Sequence, residues 1–383
     1  MKRPRNFVGF ISPDTRTFPG EIRVFTPEGA NAFAQNLNAT AVISRDYGKT
    51  MGINFSSYQT VNLKITNDDM QVARESNAIF SLKYPAQNIL DNIRTGSLLV
   101  TMAHFHTRPN RVKYLNQRGI STISLDGIVD DRGKRLVENL NAVAWNSADV
   151  LFDYLEKTNP LFFRRKFFKA LILGSGAVGQ QATDSLIHLG NRERKKIHPI
   201  KSLVLIIGRN VVGDRIFLHK LLKETDILVD ATNRNDPSVP LLMNSDLSYL
   251  KENAIILDLT ADSYDPFEVK NCMQRSMVKA IEGIPTGDAN KFIFSREDPK
   301  YASSIPRDIP AKVRRLTISH GSWPAIKPSE SMVHYENQLI PLIRSFMEVS
   351  DNIQNAYLLL NPKSVNPLER ALYRGTLRAY VEN

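Results

Sequence analysis

Several side chains able to move protons or hold anions stand just after strand-like apolar runs. Lys83 follows Ile79-Phe80-Ser81-Leu82, His104 follows Leu98-Leu99-Val100 with His106 two residues on, and Asp262 follows Ala254-Ile255-Ile256-Leu257-Asp258-Leu259. A histidine titrates near neutrality and works as acid or base. A lysine partly buried at a strand end gives up its proton more readily. An aspartate balances positive charge on a bound ring or imine. A different chemistry is offered by Gly174-Ser175-Gly176-Ala177-Val178-Gly179, between the run Ala170-Leu171-Ile172-Leu173 and the helical stretch Gln180 to Leu189. Gly174 permits a tight turn, Gly176 lets phosphates approach the backbone, and Gly179 lets strand and helix pack closely. With free amides at the positive helix end, this arrangement seats a dinucleotide pyrophosphate.

Each motif also has a plain structural reading. Glycines fill ordinary loops, a lone histidine is more often a core or surface residue, and a strand-end lysine commonly snorkels to water. Asp262 lies in the turn-like Asp262-Ser263-Tyr264-Asp265-Pro266, where an aspartate can cap or turn the chain. If His104 and His106 continue the strand, alternation sends them to opposite faces.

The elements that must position these groups read as α/β. In the first part, Phe7–Ile11, Ala41–Ile43, Ala78–Leu82, Leu98–Val100 and Ile120–Ile123 are β-type runs, with a helical segment at Pro27 to Asn36. A long helical stretch from Lys134 to Lys157 leads to a second series: the glycine turn, Leu203–Ile207, Asp226–Asp230 and Ala254–Leu259. These apolar runs predict parallel strands covered on both faces. Met332 to Phe346 is helical again and is expected to pack back on the first domain. The fold class is therefore α/β, two Rossmann-like domains with parallel sheets and a cleft between them. Residues 1–145 and 320–383 would form a discontinuous substrate domain, and 146–319 the dinucleotide-binding domain.

Composition excludes other classes. The chain has 383 residues, 42% hydrophobic, enough for a sizeable core. Its apolar runs are too short for a secretory signal or a membrane span. Cys272 is the only cysteine, so no intrachain disulfide forms, and a cytoplasmic address is expected. Nothing argues for a metal. The net charge of +11 suits an anionic partner, either nucleic acid or a phosphorylated cofactor and carboxylate substrate. The basic residues are dispersed, without the aromatic interleaving that stacks bases. After the second strand of the glycine-turn domain comes Gly208-Arg209-Asn210. An acidic residue there would accept ribose hydroxyls, whereas Arg209 offers a fork for a 2′-phosphate. That favours NADP over NAD, with Asp214 close enough to serve NAD instead.

Over its whole length the chain resembles the superfamily of alanine dehydrogenase, transhydrogenase and lysine-forming saccharopine dehydrogenase. The resemblance rests on Gly20-Glu21-Ile22-Arg23-Val24-Phe25-Thr26-Pro27-Glu28-Gly29, Ile79-Phe80-Ser81-Leu82-Lys83-Tyr84-Pro85, Thr101-Met102-Ala103-His104-Phe105 and Ile256-Leu257-Asp258-Leu259-Thr260-Ala261-Asp262, in that order around the glycine turn. Asp131-Arg132-Gly133-Lys134-Arg135 and His320-Gly321-Ser322-Trp323-Pro324 are more similar to the saccharopine dehydrogenase branch. The resemblance implies Lys83 and His104 as acid/base residues, Asp262 beside the nicotinamide, Arg23 on a substrate carboxylate, and Arg135 on a second one. Asp126 lies near the place of an acidic residue in the family, one residue out of register. The chain departs from the family at Arg209, where the family has an acidic residue, and at the extra basic loop Asn191 to Lys201.

The expected activity is reversible, NAD(P)-dependent hydride transfer at a carbon–nitrogen bond of an amino acid or secondary amine. Two other readings stay open, a nucleotide-binding protein without catalysis and a basic nucleic-acid-binding protein. Assembly with further copies of the chain also stays open.

Overall fold

The computed structural model describes residues 6–16, 20–58, 62–260, 262–269 and 272–382. Two compact units make up the chain, Met1–Asn139 with Pro328–Asn383, and Leu140–Lys327.

The first unit is built on a six-stranded parallel sheet of β1 (Asn6–Phe10), β2 (Ala39–Ser44), β3 (Leu63–Thr66), β4 (Ala78–Lys83), β5 (Leu98–Met102) and β6 (Ser121–Ser124), in the order β3-β2-β1-β4-β5-β6. Its central strands are apolar on both faces because helices cover both sides. On one face Phe10, Phe25, Phe33 and Phe80 pack ring to ring, with Phe25 and Phe33 5.3 Å apart. Burying each such ring contributes about 1.5–3 kcal/mol. β3 escapes a sequence reading because it is an edge strand whose Lys64 and Ile65 face water.

The helix Pro27–Asn36 starts where Thr26 caps it by accepting the Gly29 amide at 3.0 Å. Glu336, from the long helix Pro328–Val349, accepts the Thr26 amide at 2.6 Å and its hydroxyl at 2.7 Å. A side chain at position 29 would collide with that carboxylate, since a Cβ there would lie 2.1 Å from Glu336 Cδ. A carboxylate at a helix N-terminus is favoured by the helix dipole, and this one ties the C-terminal segment to the N-terminal one.

The second unit holds β7 (Phe167–Leu173), β8 (Lys201–Ile207), β9 (Ile227–Asp230), β10 (Ile255–Asp258), the hairpin β11 (Asp265–Val269) and β12 (Cys272–Met277), β13 (Ile293–Phe294) and β14 (Leu316–Ser319). Its sheet runs β13-β14-β10-β9-β7-β8, parallel except where β13 meets β14.

Two expectations about elements are corrected. The connecting helix spans Leu140–Thr158 rather than starting at Lys134. Val137 is instead buried in the first unit's core, Val129 and Arg135 form a β-bridge, and the Glu138 amide donates to Gln338. Full coverage holds for β7, β9 and β10 but not for β8, whose residues alternate between exposed and half-buried because it is the sheet's outer strand.

Candidate active site

In the first unit the functional side chains gather where β4 and β5 end. Lys83 pairs in register with Met102, so Lys83 and His104 leave the carboxyl ends of neighbouring parallel strands. Ligands of such sheets sit at that edge. His104 lies beyond β5 rather than in it, with φ 52° and ψ 51°, and it precedes the short turn of helix Phe105–Thr107. Strand alternation therefore does not separate it from His106, whose ring packs edge-on against Tyr380. A non-glycine residue in left-handed backbone costs on the order of 1 kcal/mol or more and persists where its surroundings enforce it.

Those surroundings centre on Asp126. Its carboxylate accepts the His104 amide at 3.2 Å and the Ser124 hydroxyl at 2.7 Å, and its other oxygen lies 3.3 Å from His104 Nδ1. Ser124 in turn accepts the Ala103 amide. Burial works to raise the Asp126 pKa, but the hydrogen bonds and charge of His104 and the Ser124 hydroxyl hold it far below the usual carboxylate range. An ionised carboxylate against one ring nitrogen fixes the imidazole's orientation and leaves the other nitrogen for chemistry. The imidazole itself is 41% exposed. The one-residue register offset had hidden this partner from the sequence reading.

Lys83 is 18% exposed and lies 3.7 Å from Glu21 Oε2. Burial, then the charges of Arg23 and Arg111, push its pKa down, and Glu21 only partly opposes them. Glu21 is itself buried, yet Arg23 and Lys83 overcome the cost of that burial and hold its pKa at about 2. Arg23 grips Glu21 through Nε at 2.8 Å and Nη2 at 2.7 Å, and its guanidinium lies 5.4 Å from the centre of the Tyr335 ring. The fork read from the sequence as a carboxylate clamp thus engages an internal carboxylate. Glu21 was legible only as part of a motif. Arg135 is exposed and lines a cleft of about 320 Å³ with His106, Asp126, Arg374 and Tyr380.

The second unit supplies a cradle at the ends of β7, β9 and β10. Gly174 adopts φ +105°, and a Cβ on it would lie 2.4 Å from the Ala231 carbonyl oxygen, so only glycine fits. A Cβ on Gly179 would lie 2.0 Å from the Gly174 carbonyl oxygen, which closes helix against turn. A Cβ on Gly176, by contrast, meets nothing within 4 Å. The helix Ala177–Ile187 begins there with no side-chain cap. Ser175, Ala177 and Val178 complete this turn, whose amides suit a pyrophosphate. Beside it Asp230 is fully buried, and its Oδ2 has no hydrogen-bond partner among the described residues. These features fit a dinucleotide.

Around that cradle the sequence reading missed an ionic cluster. Asp230 and Asp258 pair in register at the ends of β9 and β10. Asp258 accepts Lys279 Nζ at 2.6 Å and the Ser319 hydroxyl at 2.7 Å, all three residues being buried. Burial and the neighbouring Asp258 charge push the Asp230 pKa up to about 7. The available signal was the aspartate closing each of two apolar runs. Asp262 receives Arg234 at 2.7 Å, and burial raises its pKa despite that partner. The side chain of Arg209 lies outside the described residues. Asp214, its acidic alternative, caps the helix Arg215–Glu224 by accepting the Phe217 amide. The extra basic loop is tied inward, since Arg194 binds Glu156 and Asp149, and Lys195 binds the Ile200 carbonyl.

Comparison with known proteins gives this geometry its relatives. Residues 16–144 match the family described as alanine dehydrogenase/PNT, N-terminal domain. The chain is alanine dehydrogenase-like. It is 21% identical to alanine dehydrogenase of Bacillus subtilis (strain 168) over 322 residues, 77% of this chain and 80% of that protein. It is 23% identical to N(5)-(carboxyethyl)ornithine synthase of Clostridium botulinum over 317 residues, 77% of this chain and 85% of that one. In fold it is similar to a solved L-alanine dehydrogenase, with a TM-score of 0.63 at 14% identity, covering 96% of this chain and 99% of the other. A transhydrogenase from Sinorhizobium meliloti aligns with a TM-score of 0.57 at 12% identity over 90% and 95% of the two chains. No helix among the described residues is long and apolar enough to cross a membrane.

Proposed function

We propose that this protein is a nicotinamide-dependent oxidoreductase acting at the carbon–nitrogen bond of an amino acid or an opine-like secondary amine. The observation that carries this reading is the placement of Lys83 and His104 at the ends of adjacent strands, each oriented by a buried carboxylate. In the oxidative direction, hydride leaves the substrate carbon, a proton leaves its nitrogen, and water adds to the resulting imine, giving a carbonyl compound and a free amine. The amides of Gly174 to Gly179 would hold the dinucleotide, which would supply the hydride acceptor. His104 takes the proton from nitrogen or water, and Asp126 holds the ring in position and stabilises its cationic form. Lys83, with its depressed pKa, exchanges a proton with the carbonyl oxygen or polarises it. Asp262 is assigned to balancing charge near the ring, in competition with Arg234. Arg23 contributes positive charge beside Lys83 through its pair with Glu21, and Arg135 is assigned to a second substrate carboxylate.

NADP is the preferred cofactor in this proposal, because Asp214 is engaged as a helix cap and Arg209 follows β8. A small amino or keto acid is the partner, and the cytoplasm the proposed compartment. The relatives' names carry no more than the class, so alanine and carboxyethylornithine are the first substrates to try. The test is nucleotide fluorescence on titration with NADPH and NADH, followed by absorbance during incubation with amino and keto acids. Nucleotide binding with no turnover in either direction over a broad panel would leave a binding protein. No binding of either nucleotide would end the proposal.

A further inference from the structure

β8 is the outer strand of the second unit's sheet, and among the described residues no strand pairs with its free edge. In the doubly wound strand order 3-2-1-4-5-6, a further strand lies outside the one that follows the glycine-turn strand. Here the chain leaves β8 at Ile207, forms the short helix Arg209–Gly213 and the helix Arg215–Glu224, and enters β9 on the opposite side of β7. Among the described residues no strand fills the third position, and the strand beside it stays apolar: Lys201-Ser202-Leu203-Val204-Leu205-Ile206-Ile207. Leu203 is 52% exposed and Leu205 45%, and Ile187 on the neighbouring helix is exposed as well. The helix Arg215–Glu224 packs Leu218 and Leu222 over Leu171 and Leu173 of β7 and leaves Leu203 and Leu205 outside that core. A trough of about 540 Å³ runs along this edge. Long apolar edges template pairing with another strand, and isolated proteins normally blunt them with charge, proline or a bulge. Between Ser202 and Ile207 this one has none of those.

The strand's own geometry identifies the occupant. The Lys201 amide donates to Lys166 and the Ile207 carbonyl accepts from Gly174, so odd-numbered residues turn their backbone groups inward to β7. Ser202, Val204 and Ile206 therefore turn theirs outward. An antiparallel pairing of this strand with itself, centred on Val204, sets Ser202 opposite Ile206 and Val204 opposite Val204, outward groups facing outward groups. The same register sets Leu203 opposite Leu205, in the closer non-hydrogen-bonded positions where apolar pairs stabilise a sheet. One register thus satisfies the backbone edge and the exposed leucines together, and it has two-fold symmetry.

We propose that β8 is the interface of a homodimer, in which β8 of two copies pair antiparallel about Val204 and join their sheets into one. This does not depend on the catalytic reading. It is tested on the full chain by analytical ultracentrifugation at micromolar concentration. Wild-type protein is expected at twice the 43.3 kDa of one chain, and Leu203→Lys/Leu205→Lys, which sets lysine against lysine, at one. Val204→Pro, which removes an outward donor and no inward bond, should also give single chains. Circular dichroism confirms that both variants fold. Because each Leu203 faces the partner's Leu205, mixing the double-lysine variant with Leu203→Glu/Leu205→Glu should restore a heterodimer of double mass. A wild-type protein that sediments as one chain, or lysine variants that keep the double mass, would overturn the proposal. So would failure of the mixed pair to associate while each parent is folded.

Discussion

Both sheets end two neighbouring parallel strands in ionisable residues, and they treat them in opposite ways. In the first unit Lys83 and His104 reach solvent and each has one carboxylate at its side. In the second, Asp230 and Asp258 are wholly buried, and Lys279 is buried with them. A partly exposed group with a carboxylate beside it can gain and lose a proton in contact with substrate. A buried group instead sets the local field, and changing its charge is costly in folding free energy. The first pair should therefore report in turnover, the second in stability and its pH dependence.

The largest effects should come from Lys83 and His104. Lys83→Met and His104→Gln are each expected to lower kcat by about 10²- to 10⁴-fold, with nucleotide titrations unchanged, as read by steady-state kinetics beside fluorescence binding. Full activity in either variant would erase the distinction drawn between the two strand ends. Next, Asp258→Ala leaves the Lys279 charge unpaired in the interior and should lower unfolding free energy by about 3–5 kcal/mol, measured by denaturant titration.

Asp126→Asn should produce a smaller catalytic loss, above about tenfold but below that of His104→Gln, because the imidazole stays present but loses its anionic partner. Asp230 sharpens the comparison through pH. Its folded pKa is raised from 3.8 to about 7, so between those values the unfolded chain loses a proton that the folded chain keeps. Stability contributed at this site therefore falls as pH rises through that window and levels off above it. Asp230→Asn should flatten that slope and raise the thermal midpoint at pH 8. The smallest change is Thr26→Ala, which removes the cap of the helix Pro27–Asn36 and should cost about 1–2 kcal/mol.

The sequence made the apolar strands and the glycine turn legible because their patterns are local: a run of buried residues, then glycines where a Cβ has no room. Lys83 and His104 were legible as strand-end residues, and the resemblance gave them roles. What pairs with them was less so, since Glu21 and Asp126 come from other segments, nothing local marks them as partners, and the resemblance placed Asp126 only to within one residue. Likewise Asp230 reads as an ordinary strand end until β9 and β10 are seen side by side. The exposure of β8 was hidden for the same reason. Its residues resemble those of a covered strand, and only the strand order shows that no described strand of the same chain lies beyond it.

Glu336 reaches back 310 residues to hold the Thr26 amide, and this has a consequence during synthesis. The amino-terminal segment leaves the ribosome long before the helix that completes its core and holds Thr26, the cap of its first helix, exists. The contiguous stretch Leu140–Lys327 has no such wait. The later-made unit can therefore finish folding first, with the earlier one held open until the C-terminal helices arrive.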